Sequence, residues 1–215
     1  VVTGTASQVE IYVTSSDPRS RSSPVSDRSD ALDTNSGVLS KLTQDGGSWN
    51  HVALVRGLPR STEKHSTNDV IVDEATGDLL ISQGGNSGAG APNDEFTFTP
   101  EYAYSAAILR VDVATLESMS TQTDTGVVPY KYDLPTLNAS VSEAPNSTPF
   151  GGMGGQNMAV WESDSPVQVF ATGLRNSYDI TQTVSGTLYA TDNGGGGGWA
   201  APPGSEGPGG HCPPQ

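Results

Sequence analysis

Residues 69–85, DVIVDEATGDLLISQGG, contain the pattern that decides the fold class. Two short apolar runs flank a turn that contains Gly77, and the second run ends in small polar residues. This arrangement is typical of a β-hairpin, because glycine readily adopts the positive φ that tight turns require. The stretch therefore predicts two antiparallel strands followed by a small polar exit.

The same unit recurs along the chain. Residues 178–194 repeat it, with a turn that contains Gly186 and an exit that reads Asp-Asn-Gly, and residues 9–17 repeat its second half. Four further apolar stretches alternate with these units and predict strands at residues 37–42, 51–55, 106–113 and 167–172. Short strands with frequent turns are typical of a β-sandwich, a barrel or a propeller.

The repetition favours the propeller among these all-β folds, since each blade is one four-stranded meander. We therefore predict that residues 1–215 are a partial β-propeller domain of about three blades, truncated at both ends. The Ser/Thr/Pro/Gly-rich residues 117–157 are interpreted as an inserted polar loop within it. Because a closed propeller needs about four blades or more, we do not expect this piece to be a stable monomer by itself.

Composition narrows the class of protein. The chain has 24 acidic and 10 basic residues, a net charge of −14, which argues against nucleic-acid binding. It has no apolar run long enough to predict a membrane span. The single cysteine, Cys212, excludes an internal disulfide, and sequons at Asn138 and Asn146 favour an extracellular or periplasmic location.

Several short motifs occur in order over nearly the whole chain and together carry a family resemblance. They are GLPRS (57–61), HSTND (65–69), QGGN (83–86) with GAP (90–92), PEYAYSAAIL (100–109), YDLPTL (132–137), PFGG (149–152), GLRNSYD (173–179) and DNG (192–194) continuing to GW (198–199). This set resembles the glucose/sorbosone dehydrogenase family, and within it an uncharacterised extracellular branch. The resemblance implies a six-bladed propeller. The best-known members are soluble sugar dehydrogenases that use pyrroloquinoline quinone (PQQ) and calcium.

The resemblance implies that His65 is the catalytic base. An unperturbed imidazole has a pKa near 6.5 and can accept a hydroxyl proton at neutral pH. The alternative is a rim histidine without a catalytic role. The dehydrogenases place an aspartate after the next strand to orient this imidazole, whereas this chain has Gly84 and Gly85 there. We therefore expect the ring to lack an orienting acceptor.

The resemblance also assigns cofactor contacts. Arg175, Asn176 and Asn193 are implied to bind the quinone, whose carboxylates suit a guanidinium group. The carbonyl oxygens of Gly194 and Gly195 are implied to bind calcium, which prefers oxygen ligands. Structural roles stay open as alternatives, since arginine and asparagine also join blades and a glycine run also forms a plain flexible loop.

Two functions follow as hypotheses. The first is PQQ- and calcium-dependent oxidation of an aldose hydroxyl to the lactone, with a sugar or oligosaccharide as substrate and an external electron acceptor. The second is a non-catalytic extracellular propeller module for carbohydrate binding or scaffolding. A calcium-dependent lactone or ester hydrolase is a weaker third hypothesis, because it requires a set of inward-facing Asp, Glu and Asn side chains that the sequence does not indicate.

Overall fold

The computed structural model describes residues 1–18, 35–61, 65–86, 101, 103–135 and 159–194. These residues form eleven strands and one short helix, so the all-β prediction is confirmed. The elements are β1 (Val2–Thr5), β2 (Gln8–Ser15), β3 (Gly37–Asp45), β4 (Ser48–Leu58), β5 (Thr67–Val72), β6 (Leu79–Gln83), β7 (Ala107–Val111), α1 (Val113–Ser118), β8 (Tyr130–Asp133), β9 (Val167–Thr172), β10 (Ser177–Gln182) and β11 (Leu188–Asp192).

The strands form three separate sheets. The first has the order β1-β2-β3-β4-β8, the second β5-β6-β7-β9, and the third is the hairpin β10-β11. Neighbouring strands are antiparallel except β4 and β8, which are parallel. None of the sheets closes into a barrel within the described residues. The helix in the described ranges is too short to cross a membrane.

Both predicted glycine-turn hairpins are present. In the β5–β6 hairpin, the backbone N–H of Gly77 donates to the Asp73 carbonyl over 2.7 Å, and the φ of Gly77 is 78°. In the β10–β11 hairpin, Gly186 donates to the Thr183 carbonyl over 2.8 Å with a φ of 85°. A side chain would be strained at these angles, so each turn depends on its glycine.

The strand predicted at residues 106–113 ends earlier than expected. Strand β7 stops at Val111 and α1 begins after Asp112. The Asp112 carboxylate accepts the backbone N–H of Thr115 over 2.8 Å, which is N-cap geometry. The cap therefore explains why the apolar run changes from strand to helix.

Strand β8 lies within residues 117–157, the segment predicted to be an inserted loop. It pairs with the edge of β4, where Arg56 donates to both carboxylate oxygens of Asp133 over 2.5 and 2.6 Å. The Arg56 guanidinium also lies 3.4 Å from the ring centre of Tyr130. These contacts attach β8 to the first sheet, while residues 136–157 lie outside the described part of the chain.

The core places the second sheet between the other two. Strand β6 is buried along its whole length, and its alternate residues face opposite sides, as a pleated strand requires. Leu79 and Ile81 pack in a cluster with Leu39 and Leu54 of the first sheet. Leu80 and Ile108 instead pack against Ile180 of β10. The second sheet therefore lies between the first sheet and the β10–β11 hairpin.

Candidate functional site

The predicted site residues lie in segments that flank the strands of the second and third sheets. His65 precedes β5 and Gly84 follows β6, while Arg175 precedes β10 and Asn193 follows β11. In each hairpin the first strand begins opposite the end of the second, with Thr67 opposite Gln83 and Ser177 opposite Asp192. All four segments consequently meet at one end of the two sheets.

His65 is buried and held by hydrogen bonds on both its backbone and its ring. Only 4% of its surface is exposed. Its backbone N–H donates to Ser61 Oγ over 2.9 Å, and Nδ1 lies 2.9 Å from the carbonyl oxygen of Gly85. Because a carbonyl oxygen only accepts, Nδ1 carries the proton and Nε2 carries the lone pair of the neutral ring.

The expectation that the imidazole lacks an orienting acceptor is therefore wrong. The Gly84–Gly85 segment has no side chain to offer, but the backbone carbonyl of Gly85 accepts from the ring. A backbone carbonyl fixes both the tautomer and the ring angle, which is the task an aspartate performs elsewhere.

Glycine at position 84 allows the two sheets to approach closely at this point. A Cβ atom there would lie 2.6 Å from Oδ1 of Asn176 and 2.7 Å from Cβ of His65. The backbone N–H of Gly85 donates to the Arg175 carbonyl over 2.8 Å. Gly84 and Gly85 thus link His65 to the segment that precedes β10.

The pKa of His65 is lowered from 6.5 to about 4. Burial is the largest cause, because it disfavours the charged imidazolium, and the positive charge of Arg175 comes next. The bond to Gly85 and the charge of Asp192 raise the pKa, whereas Arg60 lowers it further. At neutral pH the ring is neutral, so His65 is in the form that accepts a proton.

Asp192 holds the backbone of two predicted quinone-binding residues by hydrogen bonds. Its two carboxylate oxygens accept the backbone N–H groups of Arg175 and Asn176 over 3.1 and 2.8 Å. The Arg175 guanidinium donates to the Asn193 carbonyl over 2.9 Å, and Asn193 N–H donates to the Asn176 carbonyl over 3.2 Å. Asp192 is a positioning residue that the sequence motif contained but that the resemblance did not assign.

The side chain of Asn176 joins the second and third sheets. Its Oδ1 accepts from Nδ2 of Asn68 over 3.0 Å, and the same amide group of Asn68 donates to the Ser177 carbonyl over 2.7 Å. Asn176 is buried. The structural role that was left open for this residue is therefore present, whatever else it binds.

Two charged residues near His65 were missed by sequence reasoning. Arg60 is 4% exposed, and its Nε donates to the Asp17 carbonyl over 3.1 Å. The carboxylate of Glu101 accepts from the backbone N–H of Asn86 over 2.8 Å and from Ser105 Oγ over 2.7 Å. Both lie in the quoted motifs, so a charged residue inside an otherwise apolar or glycine-rich motif was the available signal.

Backbone strain is concentrated beside Glu101. Tyr104 and Ala106, which flank Ser105, have φ values of 71° and 54°. Residues with a Cβ adopt such angles only when the surrounding structure compensates for the cost. Here Ala106 N–H donates to the Gly84 carbonyl over 3.3 Å, so this turn is joined to the His65 segment.

The calcium prediction remains a prediction. Gly194 is the last residue described in this region and is exposed, and Gly195 lies outside the described residues. Within residues 1–18, 35–61, 65–86, 101, 103–135 and 159–194, no group of three or more His, Cys, Asp or Glu side chains could hold a metal ion. The implied ligands are backbone carbonyls, which are a different kind of site. Cys212, Asn138 and Asn146 also lie outside the described ranges.

A separate cleft of about 550 Å³ lies at the opposite end of these sheets. It is lined by β1 and by the turns of the two glycine hairpins, and it includes Val2, Val72 and Val184 beside Asp73 and Glu74. None of the predicted site residues lines it. The hairpin turns that form this cleft are thus remote from the His65 end.

The described residues bring His65, Arg175, Asn176 and Asn193 into one hydrogen-bonded cluster, with Asp192 and Glu101 as additional members. No protein-family model, no curated protein and no solved structure matches the chain.

Proposed function

We propose that this chain contributes about three blades of a six-bladed β-propeller whose His65 cluster binds pyrroloquinoline quinone and oxidises an aldose hydroxyl to the lactone. Electrons would pass to an external acceptor, in the extracellular or periplasmic space. One observation carries the proposal. The residues that the family resemblance assigns to the base and to the quinone come from segments far apart in sequence, and they converge at one end of two adjacent sheets.

The sheet arrangement supports the propeller. Each blade of a propeller is a small sheet that packs face to face against the next blade along the chain. The second sheet here has four antiparallel strands, and its strand β6 is buried on both faces, between the first sheet and β10. An internal blade of a propeller would have a buried strand of this kind.

The donor set fits an anionic quinone. Burial is the largest cause of the lowered pKa of His65; the positive charges of Arg175 and Arg60 also lower this pKa, and the negative charge of Asp192 raises it. The carboxylate of Asp192 is already held by two backbone N–H groups. Guanidinium groups bind carboxylates with directed pairs of hydrogen bonds, which is the chemistry that a quinone with several carboxylates would use at Arg175.

Each group at the site would then have a separate role in the reaction. A bound quinone supplies the two-electron acceptor for the oxidation. Nε2 of His65 accepts the proton of the sugar hydroxyl, while the bond from Nδ1 to the Gly85 carbonyl holds the ring in the accepting tautomer. An anion beside Arg175 would offset its positive charge and raise the pKa of His65 towards the range of an effective base. Calcium would be held by the carbonyls of Gly194 and Gly195.

Reconstitution tests the proposal. The complete propeller that contains this chain is incubated with PQQ and calcium, and the bleaching of an artificial electron acceptor is followed with a panel of aldoses. We expect sugar-dependent bleaching that falls by about 100-fold or more in His65→Gln, the usual contribution of a general base. His51→Gln, which removes an exposed histidine, should retain activity. Activity no higher than that of His65→Gln across the panel would refute the proposal.

A non-catalytic carbohydrate module is the second candidate, and two observations favour it. Asn176 is used to join two sheets. Trp161, Tyr178 and Tyr189 expose half or more of their surface, at 50%, 63% and 60%, and sugar rings pack their C–H faces against such aromatic groups. This candidate predicts saturable glycan binding that weakens in Trp161→Ala, together with no uptake of PQQ.

A further inference from the structure

The peptide group between Gly85 and Asn86 is bonded on both of its polar edges. Its carbonyl oxygen accepts from Nδ1 of His65 over 2.9 Å. Its N–H donates to Oε2 of Glu101 over 2.8 Å. The described chain contains no cis peptide bond, so the carbonyl and the N–H of this group point in opposite directions. Carboxylate, peptide and imidazole therefore form one continuous series.

From this series we propose that Glu101 is a positioning residue that orients and polarises His65 through the Gly85–Asn86 peptide group. Glu101 would act on the imidazole as a directly bonded carboxylate does, but with one peptide group between them. What the oriented imidazole is used for rests on the proposed function, whereas the orientation itself does not.

Hydrogen bonds in series strengthen one another, because each bond polarises the group it shares with the next. A bond to an ionised acceptor is stronger than one between neutral groups. Because the Glu101 carboxylate accepts the hydrogen bond from Asn86 N–H, it polarises the peptide group. This polarisation places more negative charge on the Gly85 oxygen. That oxygen consequently holds Nδ1–H more firmly and favours the imidazolium that forms when Nε2 accepts a proton.

The surroundings hold the carboxylate in this position. Ser105 Oγ donates to the same Oε2 over 2.7 Å. A Cβ atom at position 85 would lie 2.7 Å from the other carboxylate oxygen, so Gly85 allows Glu101 to approach the peptide group. Arg60, Arg175 and Asp192 are the charged groups that contribute most to the pKa of His65. The N–H of Gly85, which belongs to the preceding peptide group, donates to the Arg175 carbonyl over 2.8 Å.

Nitrogen NMR of the histidine side chains tests the proposal on the complete propeller that contains this chain, without cofactor or sugar. We expect the wild-type His65 ring to be the Nδ1–H tautomer between about pH 6 and 8. Glu101→Gln keeps an oxygen acceptor for Asn86 and Ser105 but removes the charge. It should lower the pKa of His65 by about half a pH unit and shift the Nδ1–H proton signal upfield. Glu117→Gln is the matched control, since it removes a carboxylate that is 41% exposed on α1, and should leave His65 unchanged.

A wild-type His65 that is mainly the Nε2–H tautomer would overturn the proposal. So would a folded Glu101→Gln variant with the wild-type pKa and the wild-type Nδ1–H signal. Should Glu101→Gln fail to fold, Ser105→Ala provides the test, because it loosens the carboxylate without removing its charge and should give an upfield shift in the same direction. These NMR measurements are made without quinone or sugar. A failed reconstitution would therefore refute the proposed function and leave this inference intact. A failed NMR test would refute this inference and leave the proposed function intact.

Discussion

Acidification should destabilise the fold through His65. In the folded chain the pKa of His65 is about 4, mainly because burial disfavours the imidazolium, against an ordinary value of 6.5. Above pH 6.5 the ring is neutral in both the folded and the unfolded chain, so the full stability is present. As the pH falls below 6.5 the unfolded chain binds a proton that the folded chain does not bind. Stability is therefore lost until the pH passes below the folded pKa.

The size of this loss follows from the two pKa values. Each unit of difference corresponds to about 1.4 kcal/mol, so about 2.5 units give a limiting loss of about 3 kcal/mol. Between pH 7 and pH 4.5 the two titration curves give a loss of about 2 kcal/mol in the free energy of unfolding. This is a large share of the stability of an ordinary domain.

Urea unfolding monitored by tryptophan fluorescence measures this loss in the free energy of unfolding. Wild type and His65→Gln are compared at pH 7 and pH 4.5. Wild type and His65→Gln contain the same carboxylates, so the difference between the two losses is assigned to His65. We expect wild type to lose about 2 kcal/mol more than His65→Gln. His51→Gln leaves His65 in place and should show the wild-type loss. Equal losses for wild type and His65→Gln would refute the reasoning.

Two substitutions test the packing of the site. Gly84→Ala places a Cβ 2.6 Å from Oδ1 of Asn176 and should cost about 2 kcal/mol by thermal unfolding. Gly46→Ala, at a φ of 53° with open space around it, should cost only about 1 kcal/mol; equal costs would contradict the close approach. Asp192→Ala removes the acceptor of two backbone N–H groups and should lower stability by about 1 kcal/mol. In a PQQ titration it should also weaken binding about tenfold, and unchanged affinity would show that Asp192 does not position the quinone ligands.

The fold class could be predicted because its signals are local. The turns at Gly77 and Gly186 lie beside alternating or continuous apolar strands, and both hairpins are present. Strand β8 was not predicted, because its sequence is polar and its pairing depends on a distant contact between Arg56 and Asp133. A short strand of this kind is specified by tertiary contacts rather than by its own pattern.

The candidate site could be predicted only in part for a related reason. His65 and Arg175 were identified through the motifs that carry the resemblance. The acceptor that orients His65 is the backbone carbonyl of Gly85, and every residue has a carbonyl, so no sequence pattern marks this one. Glu101 acts on that carbonyl through a peptide group, which becomes visible only when the turn at Tyr104 and Ala106 is seen to bring it there.

A direct titration of the complete propeller that contains this chain with PQQ in the presence of calcium, followed by fluorescence, tests the central claim. The account predicts saturable binding to wild type and binding weakened by about tenfold or more in Arg175→Gln, whose guanidinium is held beside the Asn193 carbonyl. Arg110→Gln removes a guanidinium that is 49% exposed and paired with Asp78, and should bind like wild type. Absence of saturable binding, or equal affinity of wild type and Arg175→Gln, would contradict the account.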